Sequence, residues 1–101
     1  MKGLIVREPY ASQILSGEKT KEFRGRATKI RERIAIIPAG SGMVAGTVDL
    51  FDCTGPHLRS GRYKDKTYIY LLKDPVKFKK LKPYKHPNGA VIWVNLSIKA
   101  G

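Results

Sequence analysis

The chain has 101 residues, and its 20 Lys and Arg against 8 Asp and Glu give a formal net charge of +12. This length fits a single domain, residues 1–101, and excludes two lobes with a deep cleft between them. Hydrophobic residues make up 42% of the chain, which is enough for one compact core and argues against a disordered chain.

The net charge is the property of the sequence that indicates most about the protein's binding partners. An excess of this size on a small body attracts polyanions, so RNA, another nucleic acid or a nucleoside ligand is the expected partner. No apolar run approaches the roughly 20 residues that a membrane span needs, and the N-terminal segment lacks the apolar core of a signal peptide. Cys53 is the single cysteine and has no partner for an internal disulfide. We therefore expect a cytoplasmic protein without a membrane partner; its oligomeric state stays open.

The first elements along the chain are a strand, a helix and two further strands. An apolar run predicts a buried strand at residues 2–6. A helix of about two turns should open at Pro9, because the first turn leaves the missing N–H of proline unused, and stop at Gly17. Residues 19–26 are β-competent but crowded with charge, whereas 31–38 form a nearly continuous apolar strand.

The middle of the chain predicts a long strand at 43–53 after a turn at 39–42. Gly46 lies in the middle of that strand and indicates a bulge or a sharp bend. Residues 55–66 are polar and contain glycine, which predicts a loop. Residues 67–73 consist mainly of β-branched, aromatic and aliphatic residues, which predicts a strand.

The last third predicts a second helix and a final strand. Asp74 can cap a helix and Pro75 can open it, so a short helix through Lys80 is expected. A proline-rich connection, 82–89, leads to a strand at 90–98. Six strands with short helices predict an α+β fold, a small, mixed and mostly antiparallel six-stranded β-barrel with short helices around its opening.

Most catalytic templates are absent. The chain has no phosphate-binding glycine loop, no dinucleotide fingerprint and no C-x-x-C pair. His57 and His86 each stand alone beside a proline, so no metal and no other cofactor is expected. Cys53 at a strand end is expected to be a small, partly buried residue and not a nucleophile.

The most informative stretch is G-E-K-T-K-E-F-R at residues 17–24. Thr20, Glu22 and Arg24 lie at strand spacing on one face, and Lys19 at the helix–strand junction can converge on the same place. Such a cluster can contact phosphates and base edges and can move protons. The same pattern also fits a solvated, charged edge strand, and spacing alone leaves both interpretations open.

These residues resemble the ASCH domain family, a PUA-like family. Its N-terminal pattern, R-Q/E-P-W/Y followed by I-L-x-G-x-K-T-x-E-x-R, matches residues 7–10 and 14–24. Its G-x-V-x-L strand matches 46–50, and a weaker pattern matches Tyr84, Gly89 and Trp93. The resemblance covers nearly the whole chain and implies a PUA-like barrel with a ligand cleft near its opening.

The resemblance also implies three activities. Family members are described as RNA-binding, some as metal-independent ribonucleases, and some as amidohydrolases that remove acetyl from acetylcytidine. In the amidohydrolase branch the motif lysine, here Lys19, is catalytic, but that branch has Thr where this chain has Glu22. A carboxylate cannot replace a hydroxyl nucleophile, so the amidohydrolase is the alternative and not the first choice.

We therefore predict an RNA-binding domain with a basic cleft floored by the motif, and leave enzyme activity open. For metal-independent ribonuclease chemistry, Lys19 or Glu22 would be the base and Tyr10 or Lys19 the acid, with Arg24 or Arg7 stabilising the transition state. Tyr10 is also the best candidate for base stacking. The predicted nucleic-acid contacts are Arg7, Tyr10, Lys19, Thr20, Lys21, Glu22, Arg24 and Arg26.

Overall fold

The computed structural model describes residues 1–58 and 66–97. In this part of the chain there are six strands and one short helix. In chain order they are β1 (Lys2–Val6), α1 (Tyr10–Ser16), β2 (Lys21–Arg24), β3 (Glu32–Pro38), β4 (Met43–His57), β5 (Thr67–Pro83) and β6 (Trp93–Asn95). No helix in these two described ranges has the length and apolar character needed to cross a membrane.

The six strands form one mixed sheet in the order β2-β5-β4-β3-β1-β6. β1 and β3 run parallel, with Gly3 opposite Ala35, because α1 and β2 provide the long connection that parallel neighbours require. The other neighbouring strands are antiparallel. The ends of the order, β2 and β6, are not paired with each other within the described residues. The six strands and the mixed sheet are as predicted, whereas the predicted barrel is wrong: the strands form an open sheet with short edge strands, in which β1 and β3 run parallel.

Both faces of the sheet carry apolar side chains, because successive residues of a strand point to opposite sides. On β3, Ile34 and Ile36 join a core cluster beneath α1, whereas Ala35 and Ile37 join a second cluster on the other face. The helix contributes Ala11, Ile14 and Leu15 to the first cluster. Each fully buried aliphatic side chain contributes about 1.5–3 kcal/mol relative to an exposed one, so this packing fixes the helix on the sheet.

The predicted first helix is confirmed at both ends. α1 begins directly after Pro9, and the carboxylate of Glu8 accepts hydrogen bonds from the N–H and hydroxyl of Ser12 at 2.9 and 2.8 Å. Gly17 ends the helix in the left-handed conformation, with φ at 87°, and its N–H donates to the carbonyl of Ile14. This conformation is accessible to glycine without a steric penalty, which is why the chain turns here.

The predicted second helix is wrong, since residues 74–80 belong to the long strand β5. The register places Thr47 opposite Val76 and Asp49 opposite Lys73, so Asp74 and Pro75 form a bulge opposite a single residue of β4. A bulge tolerates Pro75 because its missing N–H is not needed by the ladder. Backbone pairing with β4 therefore overrides the local capping signal.

Two other boundaries differ from the prediction. β4 continues to His57 through the beginning of the predicted loop, and residues 59–65 of that loop lie outside the described residues. β6 spans Trp93–Asn95 and not 90–98, of which residue 98 lies outside the described range. The predicted bulge at Gly46 is confirmed by a shift of the β4–β5 register between Val44 and Gly46.

Candidate functional site

The junction between α1 and β2 places the motif lysine. After the left-handed turn at Gly17, the backbone N–H of Lys19 donates to the carbonyl of Gln13 at 3.0 Å. The carbonyl of Thr20 accepts from the N–H of Leu72 on β5 at 2.9 Å. These two bonds hold the backbone to the helix on one side and to the sheet on the other. They therefore fix the direction in which the side chain of Lys19 projects from the backbone.

The pleat of β2 places the two other motif charges on one face. Glu22 pairs with Tyr70 of β5, and Arg24 pairs with Tyr68. Because Tyr70 belongs to the core, Glu22 on the same face is also buried, with 8% of its surface exposed. A buried carboxylate needs charged partners, and the motif supplies them.

Glu22 binds one cation with each of its carboxylate oxygens. Its Oε1 lies 3.4 Å from the Nζ of Lys19, and its Oε2 accepts from Arg24 Nε at 3.0 Å and Arg24 Nη2 at 2.8 Å. The three side chains are 18%, 10% and 16% exposed in the order Lys19, Glu22, Arg24. We call them the motif cluster; two cations against one anion leave it with a net charge of +1.

Arg24 also connects the edge strand β2 to β1, which lies next to the opposite edge strand, β6. Its Nη2 donates to the carbonyl of Ile5 on β1 at 2.8 Å. β2 and β1 are not neighbours in the sheet order, so the sheet must curl for this bond to form. The sequence carries no local signal for this contact, because it depends on the relative placement of strands that are distant in the sheet.

Two aromatic rings surround the ammonium of Lys19. Its Nζ lies 5.5 Å from the ring centroid of Tyr10 and 5.2 Å from that of Phe23, within the range of cation–π interactions. The side chain of Phe23 is half-buried. Tyr10 is 49% exposed, so its ring extends from the motif cluster into solvent.

The structure brings together only part of the predicted site. Tyr10, Lys19, Glu22 and Arg24 form one continuous set of contacts. The other predicted members are exposed, and none of their side chains joins the motif cluster within residues 1–58 and 66–97; they are Arg7, Thr20, Lys21 and Arg26. Sequence reasoning missed the carbonyls of Gln13 and Ile5. The first of these follows from a helix C-cap at Gly17, whereas the second has no sequence signal.

The described surface includes clefts of about 420 and 460 Å³. The first lies between Glu8, Leu15, Ser41 and Lys77, and the second includes Ile5. Lys19, Glu22 and Arg24 line neither of them, so neither cleft has the predicted motif floor. The motif cluster itself is a nearly buried group of charges beside the exposed ring of Tyr10.

The donors of the motif cluster define what it can bind. Arg24 has five N–H donors, of which three are used by Glu22 and Ile5. The two on Nη1 have no hydrogen-bond acceptor in the described part of the chain, and the ammonium hydrogens of Lys19 not directed at Glu22 face only the rings of Tyr10 and Phe23 there. Such donors suit phosphate or carbonyl oxygens. Among the described residues no three His, Cys, Asp or Glu side chains come together as a metal site would require.

The family model of the ASCH domain matches residues 4–95. The chain therefore belongs to the ASCH domain family, which is generally linked to RNA binding. No curated protein sequence matches this chain significantly.

Solved structures agree with this assignment. The ASCH protein from Zymomonas mobilis is 22% identical, with 80% of this chain and 72% of that one covered and a TM-score of 0.64. A serine-to-alanine mutant of the same protein is 21% identical, with 94% and 87% covered and a TM-score of 0.68. At this identity the likeness establishes the shared fold.

Proposed function

We propose that this ASCH domain binds single-stranded RNA, with the motif cluster and the ring of Tyr10 as its central contact. The observation that carries the proposal is the juxtaposition of a rigid, net positive cluster with an exposed aromatic ring. Unpaired bases stack on aromatic rings, and the adjacent phosphates bind cations. The general link between this family and RNA supports the same ligand.

Each part of the motif cluster has a distinct role in this proposal. The ammonium of Lys19 and the Nη1 donors of Arg24 contact a phosphate, and Tyr10 stacks on the neighbouring base. Glu22 orients both cations and is a positioning residue, since its two oxygens are already occupied. The exposed Arg7, Lys21 and Arg26 add attraction without fixed geometry.

Binding should weaken steeply with salt. If about three phosphates are neutralised, the slope of log K against log salt for a single strand is about −2, and affinity falls roughly tenfold to twentyfold between 50 and 200 mM. Fluorescence anisotropy of a labelled single-stranded RNA at several salt concentrations measures this slope. A flat affinity across the series would contradict the proposed phosphate contacts.

The substitution Lys19→Gln should reduce RNA affinity about tenfold, the equivalent of one charge-assisted hydrogen bond. The matched control is Lys29→Gln, which makes the same change of charge at an exposed position before β3. We expect the control to change affinity less than twofold. Equal losses in both variants would mean that only net charge matters and that the motif cluster is not the contact.

Metal-independent RNA cleavage is the second candidate, because three groups that can transfer protons are in contact in the order Glu22, Lys19, Tyr10. Lys19 contacts both Glu22 and the ring of Tyr10. Since Glu22 is enclosed, Lys19 and Tyr10 are the groups that can reach a substrate. In the reaction the ribose 2′-oxygen attacks phosphorus and loses its proton to one group, while the 5′-oxygen leaves and takes a proton from the other.

Incubation of RNA in EDTA with the wild type and with Lys19→Gln tests cleavage. We expect 2′,3′-cyclic phosphate ends with the wild type and at least a hundredfold slower appearance with the variant, the usual contribution of an acid–base group being about 10²–10⁴. The same rate with both proteins would remove Lys19 from the reaction.

Removal of acetyl from acetylcytidine has less support. Glu22 stands where that reaction needs a hydroxyl, and Thr20 is exposed outside the motif cluster. We expect no cytidine when acetylcytidine is offered. Release of cytidine that is lost in Lys19→Gln would replace the ribonuclease candidate with the amidohydrolase.

A further inference from the structure

The cleft of about 460 Å³ lies on the opposite face of β1 from the core beneath α1. Leu4 and Val6 point into that core, whereas Ile5 packs with the second cluster and lines the cleft. The volume is within the range of small-molecule sites. The other residues around the cleft are Ile37, Gly40, Gly42, Tyr84, His86, Ala90 and Val91.

The side-chain polar atoms of Tyr84 and His86 bond to each other and to the carbonyl of Ala90. Nε2 of His86 lies 2.9 Å from the carbonyl of Ala90, and because a carbonyl only accepts, Nε2 must carry a proton. In the neutral ring Nδ1 then accepts from the hydroxyl of Tyr84 at 2.7 Å. The desolvated position of this hydroxyl raises the pKa of Tyr84, so the donor stays protonated near neutral pH.

This network holds the two rings at a fixed angle beside an apolar floor. Their centroids are 5.7 Å apart with an interplanar angle of 63°. Ile5 and Ile37 form the floor, and Val91 at the rim is 75% exposed. The cleft therefore presents the flat faces of two aromatic rings and an aliphatic surface to a ligand.

The charged residues of the segment that supplies Tyr84, His86, Ala90 and Val91 to the cleft are all basic. From residue 75 to residue 97 there is no Asp or Glu. Lys82 and Lys85 flank Tyr84 in sequence, and both are exposed. The lysines of this segment are Lys77, Lys79, Lys80, Lys82 and Lys85. An apolar slot lined in part by a lysine-rich segment of the chain is complementary to a planar heterocycle that is attached to phosphates.

We propose that this cleft is a second RNA contact, which takes one unpaired base against the rings of Tyr84 and His86 while Lys82 and Lys85 contact the flanking phosphates. The inference rests on the proposed RNA binding, since it requires the chain to hold a single strand. It adds a base subsite whose lining includes no residue of the motif cluster; the link between the two is Ile5, which lines the cleft and accepts from Arg24 through its carbonyl.

Amide chemical shifts separate the two sites. Titration of the ¹⁵N-labelled chain with a seven-nucleotide single-stranded RNA of mixed sequence should shift Gly42, His86 and Val91 together with Tyr10 and Lys19. Shifts confined to Tyr10 and Lys19 would overturn the second contact and leave RNA binding intact. The absence of any shift at both sites would overturn RNA binding itself.

The substitution Tyr84→Leu removes the ring but keeps an apolar side chain, and we expect RNA affinity to fall about tenfold, as loss of one stacked base does. Phe51→Leu is the matched control, because Phe51 is an exposed aromatic residue of β4 outside both clefts. It should change affinity less than twofold.

A second variant keeps the test decisive if Tyr84→Leu fails to fold. Gly42 lines the cleft with φ at 66°, and a Cβ there would meet no atom within 4 Å. Asparagine tolerates this conformation, so Gly42→Asn adds a side chain at the cleft without disturbing the core. We expect a similar loss of affinity, and unchanged affinity in folded Gly42→Asn together with unshifted cleft amides would overturn the proposal.

Discussion

Glu22→Gln is expected to lower the free energy of unfolding by about 3 kcal/mol, the lower end of the cost of breaking a buried ion pair. The carboxylate bridges Lys19 and Arg24, and all three side chains are less than one-fifth exposed. Glutamine keeps the shape but removes the charge, so two cations remain close together without their anion. Urea unfolding followed by circular dichroism measures the loss.

The matched control is Glu32→Gln, which makes the same chemical change at an exposed position at the start of β3. Exposed substitutions of this kind stay within about 0.5 kcal/mol. Comparable losses in the two variants would contradict the role assigned to Glu22.

A compensating substitution tests the electrostatic cause directly. Adding Arg24→Met to Glu22→Gln removes one of the cations left without a partner, so the double variant should recover about 1 kcal/mol. Arg24→Met also loses the bond to the Ile5 carbonyl, which limits the recovery. A double variant less stable than Glu22→Gln would show that this bond outweighs the charge.

The elements that sequence patterns predicted are those whose signals are local. α1 depends on Pro9, its apolar stripe and the left-handed Gly17, all within one segment. β3 is a continuous apolar run that ends at Pro38. The placement of Glu22 and Arg24 on one face follows from the pleat alone.

The features that sequence patterns missed depend on contacts between distant segments. Asp74 and Pro75 have the local signature of a helix start. The chain instead continues its backbone pairing with β4, and both residues lie in a bulge of β5. The bond from Arg24 to Ile5 requires the sheet to curl. The second cleft depends on the docking of the segment after β5 against the turn between β3 and β4, where the N–H of Tyr84 donates to Gly42.

The same distinction applies to the charge of +12. Composition indicates a polyanionic partner but does not say which cations have fixed positions. In the structure Lys19 and Arg24 are held by hydrogen bonds and an ion pair, whereas Lys77, Lys79 and Lys80 are exposed on β5. Only the first kind can discriminate between ligands, because discrimination requires donors that do not move to suit each one.

Gly46→Ala is expected to lower the free energy of unfolding by about 3 kcal/mol or to prevent folding, because overpacking at a rigid contact costs this much. A Cβ at this position would lie 2.3 Å from the carbonyl oxygen of Val76 and 2.8 Å from Cδ2 of Leu15. The carbonyl belongs to β5 and cannot move without disturbing the pairing at the bulge. Thermal and urea unfolding measure the loss.

Gly3→Ala is the matched control for this prediction. Its Cβ would meet the ends of two flexible side chains, Ile37 Cδ1 at 2.8 Å and Leu96 Cδ1 at 3.0 Å, which can rotate away. The control should therefore lose less than half as much stability, and equal losses would mean that the carbonyl of Val76 is not the obstacle.

The two variants should also differ in RNA affinity. Leu15 belongs to α1, and α1 carries Tyr10 and the Gln13 carbonyl that holds Lys19. A displaced Leu15 shifts this helix, so any folded Gly46→Ala should lose affinity at the motif cluster. Gly3→Ala leaves α1 in place and should lose less RNA affinity, with the loss confined to the cleft that Ile37 lines.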